Sequence, residues 1–320
     1  MSVTSISRDI QTLSESLTHK IIGQQHVVDS LLIALLTDGH VLLEGLPGTA
    51  KTRSVRSLAQ SLDLDLNRIQ FTPDLMPSDV VGYESLNDEG MMSFVKGPAF
   101  TNILLADEIN RAPPKVQSAL LEAMEERQIT VGGQSHELPE IFLVLATQNP
   151  VEQEGTYPLP EAQLDRFLMK IVVDYPKRAD ELAILKLVKK EQQIVEALMQ
   201  VEPSVVLDAR KAILDVYVSD SIESYIVDLV MATRSPDLYQ TSQLSKWIRI
   251  GASPRATIAL DKAARAYAFL KNKDYVDTDD VRAVAHSVLC HRITLSFDAM
   301  SDAIDSKAVV DELINVVEIV

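Results

Sequence analysis

The 320 residues suffice for one large α/β domain and a smaller second one, and 46% hydrophobic residues supply a buried core. That content excludes a disordered or low-complexity chain. A formal net charge of −16 argues against a sequence-independent grip on nucleic acid, which needs clustered Lys and Arg, although it leaves room for a small basic lining inside a ring.

The N-terminus, Met1–Ile10, is polar and carries no hydrophobic leader core. Val28–Leu36 reads as a helix, followed by a first strand, His40–Glu44. Gly45-Leu46-Pro47-Gly48-Thr49-Ala50-Lys51-Thr52 comes next and leads into a helix, Thr52–Leu62. A loop in this position wraps backbone N–H groups around phosphates, and the helix N-terminus adds its dipole. Gly45 and Gly48 allow a close approach that a Cβ would block. Lys51 offers a point charge to β- and γ-phosphates, and the Thr52 hydroxyl can ligate Mg²⁺. Ala50 stands where Gly usually precedes the Lys, and it is well tolerated at a helix start. The alternative reading is an ordinary Gly-rich turn.

Asn67–Thr72 is the second strand and Asn102–Asp107 the third. The third ends in two carboxylates, Asp107 and Glu108. In a parallel sheet that end lies beside the phosphate loop. Asp107 is then placed to hold Mg²⁺ through its water shell, and Glu108 to orient and polarise an attacking water. The alternative is a solvated helix cap. A helix follows over Pro114–Arg127 and a fourth strand over Ile141–Ala146. Asn149 sits just past it, within reach of a water or a γ-phosphate, or else as a turn residue before Pro150. Arg166 precedes the last strand, Phe167–Tyr175, and packing does not account for a cation there. In a ring it can reach the γ-phosphate held by a neighbouring subunit. The alternative is a local ion pair with Asp165 or Glu161.

Near-continuous Ile, Leu and Val strands alternating with helices predict a parallel five-stranded sheet in a three-layer sandwich. After Pro176 the pattern changes, and Lys177–Val320 reads as almost entirely helical. The expected division is residues 1–175 as a nucleotide-binding core and 176–320 as a smaller all-helical lid. Ser253 caps one lid helix with Pro254 at its first position, and Thr278 is the expected cap of another. Arg255 falls in the first turn of the former, where a cation opposes the helix dipole. That conflict hints at function, the alternative being a solvated Arg. The single cysteine, Cys290, leaves no disulfide within the chain and reads as a buried helix residue in a reducing compartment. The longest apolar runs are too short to span a bilayer, so a soluble, cytoplasmic protein is expected.

The order of these pieces resembles an AAA+ module: Walker A, Walker B, sensor 1, arginine finger and sensor 2. The match is closest to the MoxR group of the helix-2-insert clade. It is carried by Gly45–Thr52 with its Ala before Lys, by Ala106–Ala112, by Gln117–Met124, by Ala146–Pro150, by Leu159–Phe167 and by Gly251–Arg255. The resemblance spans roughly Ile21 to Ile293. It implies a P-loop ATPase fold, and it implies that Ile22 and Gly23 flank the adenine. It also implies a helix-2 insertion over Asp79–Pro98, and a hairpin over Gln128–Leu138 that turns at Gly132-Gly133. Lys51, Thr52 and Asp107 then serve ATP and Mg²⁺, together with Gly45, Pro47, Gly48, Thr49 and Ala50. Glu108, Asn149, Arg166 and Arg255 are the expected catalytic set. The same resemblance implies a homo-oligomeric ring, expected as a hexamer, that remodels or matures a protein client. A partner with a von Willebrand factor A domain is implied as well. The rival readings are a nucleic-acid motor, a magnesium-chelatase-like ATPase subunit and a nucleotide-gated scaffold. The acidic chain weighs against the first, and the Glu108 and Arg166 pair against the last.

Overall fold

The computed structural model describes residues 3–45, 51–86, 90–149, 155–191 and 200–319. The chain opens with two helices, α1 (Val3–Lys20) and α2 (Gln25–Leu36). The chain then runs β1 (Val41–Gly45), α3 (Lys51–Ser61), β2 (Leu66–Gln70), α4 (Pro77–Val81), β3 (Gly82–Leu86), β4 (Met92–Lys96) and β5 (Ile103–Asp107). It continues with α5 (Pro114–Glu126), β6 (Gln128–Val131), β7 (Gln134–Glu137), β8 (Leu143–Gln148), α6 (Glu161–Leu164) and β9 (Met169–Val173).

The five expected strands form one parallel sheet in the order β2-β5-β8-β1-β9. Alternate residues of each central strand enter different cores, as the strand period of two requires. Leu43, Leu105 and Leu145 join a cluster with residues of α1, α2 and α3. Leu42, Leu104 and Val144 join a second cluster that includes Val116 and Leu120 of α5. The three-layer α/β sandwich is therefore present.

Strand boundaries shift by one or two residues from the expected ones because polar partners interrupt the ladder. His40 accepts the Val144 N–H through its ring at 3.0 Å, and the strand begins at Val41. The Phe167 carbonyl accepts from Arg292 at 2.6 Å, and β9 begins at Met169. Helix α1 is a feature that the reading of a polar N-terminus missed. Ile6, Ile10, Leu13 and Leu17 recur at helical spacing and are buried.

The two expected insertions are both hairpins. Within 79–98, β3 pairs antiparallel with β4. In β6–β7, Val131 pairs with Gln134 across Gly132 and Gly133, both at positive φ, as a two-residue hairpin turn demands. The hairpins touch where Phe94 stacks on His136 at 4.0 Å.

The remainder is helical: α7 (Arg178–Glu191), α8 (Pro203–Leu214), α9 (Asp220–Arg234), α10 (Leu244–Trp247), α11 (Pro254–Leu270), α12 (Thr278–Leu289), α13 (Phe297–Ser301) and α14 (Ser306–Val316). A short antiparallel pair, β10 (Ile248–Ile250) with β11 (Thr294–Leu295), interrupts it. Ser253 caps α11 by accepting the Arg255 N–H, with Pro254 as first residue, as expected. The cap of α12 is Asp277, not Thr278. Asp277 accepts the Asp280 N–H at 3.1 Å while the Asp280 carboxylate accepts the Asp277 N–H at 2.9 Å. That reciprocal box satisfies two backbone donors at once, and Thr278 enters as the first helical residue. Cys290 follows α12, and burial pushes its thiol up to about 12.

Candidate active site

All five strands of the parallel sheet end on one edge, and that edge gathers most of the expected residues. Gly45 closes β1 against Val173 of β9, where a Cβ would lie 2.5 Å from the Val173 carbonyl oxygen. Only glycine fits that approach without displacing backbone. Leu46, Pro47, Gly48, Thr49 and Ala50 lie outside the described residues. Lys51 and Thr52 open α3 directly after them.

Asp107 ends β5 one strand away from β1, beside the end of β8. Thr147 of β8 is buried and organises both acids. Its hydroxyl donates to Asp107 at 2.6 Å and accepts the Glu108 N–H at 2.8 Å. Glu108 takes the left-handed backbone conformation at φ 57° and ψ 51°. A side chain disfavours that region by roughly 1–2 kcal/mol, and the Thr147 bond helps to hold it. The turn swings Glu108 away from the strand direction, so the two adjacent carboxylates point to different partners. Asp107 accepts Arg68 at 2.6 Å, whereas Glu108 accepts Gln70 at 2.7 Å and Arg111 at 3.1 Å. Asn149 is buried just past the end of β8.

Thr147, Arg68 and Gln70 were not singled out as site residues. Thr147 lies within the Ala146–Pro150 motif, and Arg68 and Gln70 are polar residues of an edge strand with no local mark of their contacts. The donors at this edge are hard oxygens, one carboxylate on a strand end and the Thr52 hydroxyl on a helix start, which suits Mg²⁺ with a large water share. Among the described residues, no group of three or more His, Cys, Asp and Glu converges on a metal site.

A cavity of about 520 Å³ adjoins the same edge. Ile22 lines it with Ile21, Arg53, Tyr175, Pro176 and Leu185. Such a volume, mostly apolar with a few polar groups, matches a small-molecule subsite. Gly23 borders it at φ 76°, and a Cβ there would meet the Asp180 carboxylate at 2.5 Å.

Arg166 and Arg255 are not at this edge. Arg166 precedes β9, and its loop lies beside the segment that precedes β1. The Leu168 N–H donates to the His40 carbonyl at 2.8 Å. A five-residue strand spans about 16 Å, so the arginines sit on the opposite side of the sheet from the carboxylates. Neither Asp165 nor Glu161 is the ion-pair partner of Arg166. Glu125 of α5 is, at 3.0 Å, and its other oxygen accepts from Arg255. The two arginines thus converge although they lie 89 positions apart in one chain. Among the described residues, the expected acids and the expected arginines therefore fall on opposite edges of the sheet.

Residues 40–169 match the ATPase family associated with various cellular activities (AAA), and residues 243–313 match the AAA lid domain. Chaperone MoxR1 of Mycobacterium tuberculosis is 42% identical over 93% of this chain and 78% of its own length. Protein MoxR of Paracoccus denitrificans is 32% identical over 86% of each chain. The uncharacterized protein YeaC of Bacillus subtilis is 46% identical over 95% of this chain and 93% of its own. A crystal structure from Cytophaga hutchinsonii, described as a candidate ATPase, superposes with a TM-score of 0.93 at 45% identity, covering 99% of this chain and 97% of that one. On these matches the chain belongs to the MoxR family of AAA+ ATPases.

Proposed function

We propose that this protein hydrolyses ATP to ADP and phosphate as a ring, expected to be hexameric, and uses the cycle to remodel or mature a protein complex. The observation that carries the reading is the split between the edges. One edge holds the acids, Gly45 at the end of β1 and the start of α3, and the other holds two arginines that cannot reach the acids within one chain. Two copies side by side complete the site.

In that reading the phosphate loop, Lys51 and the helix start bind the triphosphate, and the Ile22–Gly23 cavity takes the adenine. Asp107, oriented by Thr147, and Thr52 would hold Mg²⁺, which when bound spreads charge from the β- and γ-phosphate oxygens. Glu108 polarises the attacking water once it leaves Gln70 and Arg111. Asn149 aligns that water with the γ-phosphate. Arg166 and Arg255 enter from the neighbouring copy and neutralise charge that builds on the γ-phosphoryl group. In the proposed division near Pro176, Arg255 belongs to the lid and Arg166 to the core.

The protein-client reading is supported by the MoxR1 relative, which is named a chaperone. A von Willebrand factor A partner stays part of the proposal on family grounds. The charge of −16 supports a protein rather than a nucleic-acid client. Cytoplasmic placement is proposed with it, and no helix among the described residues is long and apolar enough to cross a membrane.

The test is phosphate release from ATP by purified protein at increasing concentration, with and without duplex DNA. Specific activity should climb as copies assemble and should ignore DNA. Absent release sinks the ATPase reading, and a flat specific activity sinks the ring.

A further inference from the structure

Glu125 stands between the two arginines. One carboxylate oxygen accepts from Arg166 at 3.0 Å, and the other accepts from Arg255. The guanidiniums arrive from unrelated segments, the loop before β9 and the first turn of α11. The segments that carry them are tied by a side-chain hydrogen bond as well. Asp165, next to Arg166, accepts the Ser253 hydroxyl at 2.7 Å, and Ser253 is the cap of the helix that carries Arg255.

The three side chains are 31% (Arg166), 35% (Glu125) and 47% (Arg255) exposed. Ion pairs at such positions contribute about 0–1 kcal/mol to folding, so the carboxylate adds little to the fold. Its effect is on local charge and direction. Two cations that repel each other are held side by side, facing an open cavity of about 370 Å³ that Lys262 also lines. Arg127 and Arg292 line it too, with Asp38 and Asp165, so cations are in excess around it and Glu125 is the acid that both Arg166 and Arg255 meet.

We infer that Glu125 is the positioning residue of this pair: it keeps Arg166 and Arg255 together as one cationic unit for the triphosphate of a second copy. The inference rests on the ring reading above. A triphosphate carries more negative charge than one carboxylate and draws the guanidiniums off Glu125. Until it arrives, Glu125 prevents them from separating into solvent. That removes the need to order two long side chains during the encounter.

The experiment uses the full chain with Glu125→Gln, which keeps shape and loses charge. The kcat for ATP should fall about tenfold, since small misplacement of a catalytic group is costly. KM and nucleotide affinity should stay within about twofold, because the variant's own pocket is intact. The urea midpoint should stay at the wild-type value, which a fold-supporting role would move. In an Arg166→Ala, Arg255→Ala background, Glu125→Gln should change nothing further. Mixing Glu125→Gln with Lys51→Ala chains should restore turnover, because an intact pocket then meets an intact arginine pair. An unchanged or raised kcat, while each arginine variant is impaired, overturns the positioning role and leaves the ring standing. A loss that persists in the arginine-free background overturns it too. If the single arginine variants turn over like wild type, the ring reading is what fails.

Discussion

Arg292, 2% exposed, donates to Asp165 at 2.9 Å and ties the end of α12 to the start of β9. The same guanidinium donates to the carbonyls of Leu168 at 3.0 Å, Phe167 at 2.6 Å and Val288 at 2.5 Å. Burial lowers its pKa to about 10, against the pull of Asp165. Asp165 is thus shared between Arg292 and Ser253, one residue away from Arg166.

Arg292→Ala should destabilise the protein strongly, by about 3–5 kcal/mol, because it strands a carboxylate and several carbonyls. Arg292→Lys should recover part of this, since one ammonium cannot serve all of those acceptors. Urea unfolding measures it. A loss below about 1 kcal/mol for the alanine variant would falsify the junction's structural role.

Glu108→Gln should bind ATP with wild-type affinity and turn it over at least about a hundredfold more slowly, because an amide cannot polarise water as a carboxylate does. The amide can still meet Gln70, so the left-handed turn at residue 108 should survive. Nucleotide titration beside single-turnover phosphate release gives both values. Turnover near wild type would mean that another group activates the water.

Arg166→Ala should leave nucleotide affinity unchanged and lower kcat by on the order of 10³-fold, as expected of an arginine acting from a neighbouring copy. Arg255→Ala should show the same split between binding and turnover, since the two side chains share Glu125. Lys51→Ala should lose ATP affinity instead. Mixing Arg166→Ala with Lys51→Ala should regain activity, whereas either alone stays inactive. Failure of the pair to complement counts against a site shared between copies.

Acid stability should report on two buried histidines. His40 is held neutral, with its pKa lowered to about 3 by burial and then by Arg127, and burial lowers His291 as well. In the unfolded chain each binds a proton below its ordinary value of 6.5. Their contribution is therefore complete above pH 6.5 and declines as pH falls from there toward about 3 for His40. Each adds a slope of roughly 1.4 kcal/mol per pH unit inside that window. His40→Gln should flatten the decline between pH 6 and pH 4, at some cost in stability at neutral pH. An unaltered slope in urea titrations across those pH values would show that His40 is not titrating.

Much of the fold was legible because local rules and global architecture agree. Continuous apolar strands specified a buried parallel sheet, and Gly45 is glycine because the Val173 carbonyl leaves no room for a Cβ. The carboxylates at the end of β5 followed from sequence for the same reason, since a strand terminus places its next residues at the sheet edge. The amphipathic spacing of Ile6, Ile10, Leu13 and Leu17 was equally present in the sequence, although polar neighbours mask it in the first ten residues. Other relationships were decided by tertiary structure. Thr147, Arg68 and Gln70 meet the acids only because β8 and β2 flank β5. Glu125 pairs with Arg166 and Arg255 only because α5, the loop before β9 and α11 come together at one edge. A sequence lists these charges without distances. Electrostatic partners form at a few ångströms between segments remote along the chain, and only the packed fold supplies that proximity.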